Sequence, residues 1–518
     1  MSRINTNVSS LIGQRVLNQN TSSLNQSLER LSTGLRINRG KDDPAGLIAS
    51  ENLRSEKFAL GQAIKNAERA DQVVSIAEGG LQEISNLLTE LQGLITQTAN
   101  TGGISKEERE ANQLQIDSVL QTIDRVASAT SFQSLKLLNG GFDYQTENVA
   151  DEVASFKVHG AKLNPGDTRD VDVIVTASAQ KAGFVLSFGA TGIDLGAATD
   201  RFVFELTGKQ GAREFSFASG TPLTEIIAAI NSFKDVTGVE ATISGTTAIR
   251  IESTEFGKDE FVSVRVLDDG NIAAGNGIYT LLANDASSAD TVAAPTAFSA
   301  ATNKLTDPGQ DVGAVINGIV ATTKGKTARI DTDFLKVEIE LEFDTSGPAL
   351  ANAAKLGSLS AFTITGGGAD FQLASKVDIA GKVSLGVQNV AARELGRRTT
   401  DVLGTQATVY LSDLATGGTL NVVDGDLTAS QKVVEQAIKD LSSLRGRLGA
   451  FQKNTIGATI RSLGISLENT TAAYSVIRDT DFAGETADLT RAQILVSSNT
   501  NVLSIANTQP QAVLQLLG

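Results

Sequence analysis

Apolar residues recur along both ends of the chain at the spacing of a coiled-coil seam. Leu17, Leu24, Leu28, Leu31 and Leu35 step by seven, four, three and four, and Ile456, Ile460, Leu463, Leu467, Thr470, Tyr474 and Ile477 alternate steps of four and three. A lone globular helix needs a wider apolar face, so a stripe this narrow predicts a partner helix. The simplest arrangement pairs the N-terminal segment with the C-terminal one and leaves the middle as a separate body.

Asp43 is a credible N-cap, and Pro44 suits the first helical position, where its missing N–H is not needed. The helix they open runs through Leu60, Ile64, Ala67, Val74, Ala77, Leu81, Ile84, Leu88, Leu91 and Ile95, from 44 to about 99. At 1.5 Å per residue that is a rod about 80 Å long. Ser105-Lys106-Glu107-Glu108 reads as a capping box ahead of a helix with Leu114, Leu120 and Ile123, and Asn139-Gly140 as a hairpin-type turn.

From about 142 to 415 the period becomes two. The clearest strand, Phe334 to Phe343, turns Leu335, Val337, Ile339, Leu341 and Phe343 one way and Lys336, Glu338, Glu340 and Glu342 the other. Phe202 with Phe204 and Leu206, and Val262 with Val264 and Val266, repeat the pattern. One short helix interrupts it, capped by Thr221 with Pro222 first and Leu223, Ile226, Ile227 and Ile230 on one face. The Ala/Ser/Thr-rich stretch at 285 to 305, around Pro295, predicts a boundary between two small β-rich domains. Prolines 165, 222, 295, 308 and 348 confine themselves to this middle.

Helix returns at Thr428-Ala429-Ser430 and runs through Val434, Ile438, Leu441, Leu444, Leu448 and Phe451 into the C-terminal seam. Its Gly446, Gly449, Gly457 and Gly464 each cost about 1 kcal/mol against Ala. They either let neighbouring helices approach closely or simply loosen the helix. The last segment, with Leu489, Ala492, Val496, Leu503 and Ala506, is weakly amphipathic and ends at Pro510. The polar Thr21, Asp71 and Thr470 on the seams read either as solvated or as register-setting residues.

Composition narrows the function. The 518 residues include no Cys, no Trp, one Met and 5% aromatics, so cores are built from Leu, Ile, Val and Ala, and thiol chemistry and disulfides are excluded. A net charge of -15 without a basic face argues against nucleic acid. No stretch approaches a membrane span, and the opening residues lack the apolar core of a cleavable secretory signal. His159 is the single histidine, which removes His-based metal sites and Ser/His/Asp triads; it reads as a solvated loop residue. Gly325-Lys326-Thr327 lacks the earlier glycine a phosphate-binding loop requires, and Gly366-Gly367-Gly368 reads as a loop. Carboxylates are plentiful, but no aromatic platform accompanies them, so no enzyme and no cofactor is expected. The ends are complementary in charge, +5 over Met1 to Lys41 and -3 over Asp479 to Gly518, a feature that sets register and partner choice more than affinity.

These residues also carry a family resemblance. Ile4-Asn5-Thr6-Asn7, Leu28-Glu29-Arg30-Leu31-Ser32-Thr33-Gly34-Leu35-Arg36-Ile37-Asn38 and Lys41-Asp42-Asp43 at the start, with Ile477-Arg478-Asp479-Thr480-Asp481-Phe482-Ala483, Arg491-Ala492-Gln493-Ile494-Leu495 and Ala506-Asn507-Thr508-Gln509-Pro510-Gln511 at the end, closely resemble the two ends of bacterial flagellins. Residues about 202 to 266 also look like a small module found in some flagellins and hook proteins.

The resemblance implies an α+β multidomain fold: a long antiparallel coiled-coil and helical-bundle rod from both chain ends, with β-rich outer domains inserted. Segments 1–41 and 480–518 would form an inner coiled-coil layer, and 42–141 with 416–479 an outer helical layer. The outer domains would be 142–290, containing the hook-type module, and 291–415. The polymerisation seam would comprise Leu17, Leu24, Leu28, Leu31, Leu35, Leu81, Leu88, Leu91, Ile456, Ile460, Leu463, Leu467, Tyr474, Ile477, Leu495 and Leu503. Subunits would leave the cell unfolded through the flagellar type III export apparatus, without signal cleavage and with a chaperone on the C-terminal segment. They would polymerise under the filament cap, next to hook-associated proteins, into an extracellular propeller. Family members detected by the mammalian flagellin receptor carry an arginine and a glutamate at the positions of Glu90 and Gly93. A hook–filament junction protein, or a surface enzyme on a flagellin scaffold, are the other classes such helical ends allow.

Overall fold

The computed structural model describes residues 6–164, 166–197, 199–272, 276–282, 285–342, 356–402 and 405–517. Ile4 and Asn5 of the opening motif, Pro165, Phe343 and Pro348 lie outside the described residues. Eight α-helices are present among them: α1 (Val8–Thr33), α2 (Pro44–Thr98), α3 (Lys106–Ala129), α4 (Leu223–Asn231), α5 (Lys234–Thr237), α6 (Leu427–Ala450), α7 (Gly457–Arg478) and α8 (Phe482–Leu517). The chain divides into two compact units, one of residues 1–74, 371–382 and 447–518, the other of 75–370 and 383–446.

In the first unit α1 and α8 lie antiparallel. The amide of Asn7 donates to the Ala506 carbonyl at 2.8 Å, and at the opposite end Arg30 meets Glu485 at 3.4 Å. Asp43 accepts from the Gly46 amide at 2.8 Å and so caps α2 at its first turn. The early part of α2 meets α7, where Arg478 pairs with Glu51 at 2.6 Å and Lys57 lies 5.8 Å from the Tyr474 ring centre. The Arg478 hydrogen bond holds the Glu51 carboxyl below the ordinary value. Ile456 is buried, and Ile460, Leu463, Leu467, Thr470, Tyr474 and Ile477 are half-buried along one face. Among the described residues of this chain, no atom beyond the helix's own neighbouring backbone lies within 4 Å of a Cβ placed at Gly446, Gly449 or Gly464.

In the second unit the later part of α2 buries Ala77, Leu81, Ile84, Leu88, Leu91 and Ile95, in steps of four and three. The Arg445 guanidinium of α6 donates to Glu78 at 2.8 Å. Ser105 and Glu108 form the reciprocal capping box of α3, whose buried stripe is Ile116, Val119, Leu120 and Ile123, while Leu114 points to solvent. The buried Gln113 amide donates to the Leu414 carbonyl and accepts from the Val422 amide, both at 2.8 Å. The Ala392 amide also donates to the Asp124 carboxylate of α3 at 2.8 Å and the Val390 amide to the Leu138 carbonyl at 3.0 Å, so residues from about 390 onward meet the helical part, ahead of the expected 416. The hairpin is Ser131–Phe132 with Leu135–Lys136, turned by Gln133 and Ser134 at positive φ, and precedes Asn139-Gly140.

The β region holds two cores, nested rather than consecutive. Strand Arg169–Ala177 pairs with Gly313–Ile316 and with Gly357–Gly367, and Val153–Ala161 pairs with Leu335–Leu341, all antiparallel. Val171, Val173, Ile316, Val337, Ile339 and Phe362 fill the space between these sheets, with Phe156 stacked on Phe362 at 4.4 Å. Residues 182–308 form a second body inserted in the first, around Phe188, Phe202, Phe204, Phe298 and Ile226 of α4. The boundary expected near 290 is therefore corrected. Strand Thr296–Ala297 pairs with Gly277 and Ile278 inside the outer body, and the chain passes between bodies at Gln180 and Gln310, bonded to each other at 2.8 and 3.0 Å.

His159 is also corrected: it sits in strand Val153–Ala161, 9% exposed, at a bulge where Val158 and Gly160 face Val337 and Lys336. A bulge leaves one residue unpaired, which an alternating pattern cannot reveal.

The crossing is tied by Asp311. Its carboxylate accepts from the Gly325 amide at 2.8 Å and the Lys258 amide at 3.1 Å, with the Lys258 ammonium at 3.2 Å. Burial opposes its ionisation, but these donors outweigh it and hold the carboxyl below the ordinary value. Gly257, at φ +116°, permits the approach, since a Cβ there would stand 2.9 Å from the Gly325 backbone. A carboxyl held below its unfolded value adds stability above that value and loses it as pH falls through the folded one. Thermal unfolding should therefore move to lower temperature below about pH 4. Asp311→Asn should cost roughly 1–2 kcal/mol at neutral pH and flatten that acid slope; calorimetry across pH showing parallel slopes would refute the assignment.

Candidate assembly interface

The α1–α8 pair is built on an unbroken heptad pattern that includes polar residues. On α1 the side turned inward is Ser10, Gly13, Leu17, Asn20, Leu24, Ser27 and Leu31, all buried or half-buried; on α8 it is Glu485, Leu489, Ala492, Val496, Asn499, Leu503 and Ala506. Small residues let the backbones close: a Cβ at Gly13 would stand 3.2 Å from the Leu503 side chain. Ser10 donates to the Asn507 side chain at 2.7 Å. The Asn499 amide nitrogen and the Arg30 Nε are buried with no hydrogen-bond partner among the described residues. Polar seam positions specify register at a cost in stability.

Of the expected seam residues, Leu17, Leu24, Leu31, Leu35 and Leu503 are half-buried here, while Leu28 and Leu495, 47% and 42% exposed, lie off the seam. Thr21 is exposed and its neighbour Asn20 takes the inner position; Asp71 and Thr470 are half-buried. The seam residues that hydrophobic spacing missed, Ser10, Gly13, Asn20, Ser27 and Asn499, are small or polar. Heptad counting regardless of polarity would have found them.

The pair also carries an outward apolar surface. Val8, Leu11, Ile12 and Leu28 on α1 and Ile494, Leu495, Val502 and Ile505 on α8 are all at least 42% exposed. A two-helix pair with apolar residues on both its inner and outer sides has more contacts to make than it can satisfy alone. Glu90 and Gly93 lie exposed on α2. Among the described residues no group of His, Cys, Asp or Glu could hold a metal, and no helix is long and apolar enough to cross a membrane.

Fold and interface together define a class: a structural subunit whose two chain ends pair as helices and whose middle is an inserted β-rich body. Residues 4–143 match the bacterial flagellin N-terminal helical region, 431–517 the bacterial flagellin C-terminal helical region, and 201–255 the flagellin hook IN motif. Similar proteins include a flagellin of Salmonella rubislaw, 29% identical with 99% of each chain covered, and flagellin B of Vibrio cholerae, 28% identical with 99% of each covered. The FlgL structure from Xanthomonas campestris is 11% identical, covers 80% of this chain and 98% of its own, and superposes with a TM-score of 0.26. The chain belongs to the flagellin family: it is a structural subunit of the extracellular bacterial flagellar filament, and not an enzyme.

Proposed function

We propose that this subunit builds the helical propeller that drives swimming. Residues 1–41 and 480–518 form the inner coiled-coil layer and α2, α3, α6 and α7 the outer helical rod, with the β bodies projecting from the filament surface. The outward apolar residues of the α1–α8 pair carry this reading, because neighbouring copies in a filament would cover them. Isolated helices of this quality are marginal in water, so α1 and α8 order on assembly. Export proceeds unfolded through the type III apparatus without signal cleavage, with a chaperone on the C-terminal segment, and growth takes place under the cap above the hook-associated proteins. Electron microscopy of the purified protein at polymerising salt tests the proposal; monomer under all seeding and salt conditions would overturn it.

The β bodies should be dispensable for polymerisation. The Val387 amide donates to the Phe142 carbonyl at 2.9 Å, so the chain leaves and re-enters the helices at adjoining points. Replacing residues 144–367, whose ends meet where the Gly368 amide donates to the Asp143 carbonyl at 3.1 Å, by a short turn should give filaments thinner than the parent's on negative-stain images. Failure to polymerise even when seeded would place essential contacts in the β bodies.

A further inference from the structure

The C-terminal helices carry one residue more than their seam requires. Leu448 and Ile456 are both fully buried and stand eight residues apart. Leu441 and Leu448 before this gap, and Ile456, Leu463, Thr470 and Ile477 after it, are each spaced by seven. Counting on in sevens from Leu448 would bring Thr455, which is half-buried inside the gap, and then Ser462, Asn469 and Val476 to the inner face. Ser462 and Asn469 are exposed, and Val476, although apolar, is 82% exposed. The register has moved by one residue inside the gap.

The backbone there shows how. Residues Phe451–Ile456 form a six-residue π turn between α6 and α7, and the Gly457 amide donates to the Gln452 carbonyl five residues back. A π turn accommodates one additional residue without ending the helix. Lys453 and Asn454, in its middle, are exposed, and Phe451 is held against Phe371 with ring centres 6.3 Å apart. The surplus residue thus protrudes where no packing depends on it.

We propose that this turn is a register joint: it absorbs a single skip residue so that the apolar positions on either side stay on one face, and it makes this the yielding point of an otherwise continuous helix. A coiled-coil seam tolerates a phase change only if the backbone unwinds or overwinds locally. Here the change is concentrated in one wide turn flanked by Gly449 and Gly457. Removing one exposed residue from the turn restores the seven-residue spacing and leaves every seam contact in place.

Two single-residue deletions in the full chain test the joint. Deleting Asn454 should preserve or raise the unfolding temperature and slow amide exchange of residues 452–457 at least tenfold. Deleting Ser466, also exposed but lying between Leu463 and Leu467, should lower the unfolding temperature sharply, because it throws the following seam out of phase. In the unmodified chain, amides 452–457 should exchange at least tenfold faster than those of 463–470. Equal destabilisation by the two deletions, or equal protection of the two stretches in the parent, would overturn the proposal.

Discussion

Removing residues 1–41, or residues 480–518, should abolish filament growth while leaving a soluble, folded monomer. Each deletion strips one partner from the α1–α8 pair, and with it the half-buried leucines Leu17, Leu24 and Leu31 or their counterparts Leu489, Val496 and Leu503. The surviving helix would keep an uncovered stripe and no complement to its charge, +5 at one end of the chain against -3 at the other. Neither deletion touches the two β cores or the buried stripes of α3 and α6. Sedimentation should therefore report monomer, and calorimetry a cooperative unfolding transition, with no filaments on grids at any salt. Filaments grown from both truncated chains would show that assembly does not depend on the terminal pair.

The monomer should be a poor ligand for the mammalian Toll-like receptor that detects flagellin. Family members that are detected present an arginine and, three residues on, a glutamate where this chain has Glu90 and Gly93. Exchanging a guanidinium for a carboxylate reverses the charge and removes a donor fork that can bind acceptors in pairs. Gly93 removes a side chain from the same helical face, since residues three apart are neighbours. Loss of one buried charged contact costs a few kcal/mol, and the opposite charge adds repulsion. Activation should be weaker by roughly two orders of magnitude or more. Both positions are exposed, and nothing lies within 4 Å of a Cβ added at Gly93, so Glu90→Arg with Gly93→Glu should fold normally and recover part of the response. Strong signalling by the unmodified monomer in reporter cells would refute this.

The helices were legible because their signals are local. Asp43 and Pro44 mark where α2 begins, Ser105 and Glu108 where α3 begins, and an uninterrupted stripe from Leu81 to Ile95 carries α2 to its end. Alternation likewise gave Leu335, Val337, Ile339 and Leu341 their inward side. Pairing partners were not legible, since nothing in strand Arg169–Ala177 says that its neighbours lie beyond residue 308. The assembly seam was half legible: leucines announce themselves, whereas Ser10, Asn20, Ser27 and Asn499 hold seam positions for register and close approach. The turn at Gln133 and Ser134 lacks the usual Asn-Gly signal, and the bulge at His159 breaks alternation without any marker in its own residue type.

Nesting imposes an order on folding. The inner β body cannot close until Ala177 meets Gly313, and through the unfolded chain that contact spans the whole outer body. Such distant pairings are slow, because loop-closure entropy is lost before any contact rewards it. Once residues 182–308 have folded around their phenylalanine cluster, however, Gln180 and Gln310 already lie within hydrogen-bond distance. The outer body then acts as a staple that turns a remote encounter into a local one. Folding of the inner body should therefore be faster once the outer body has formed.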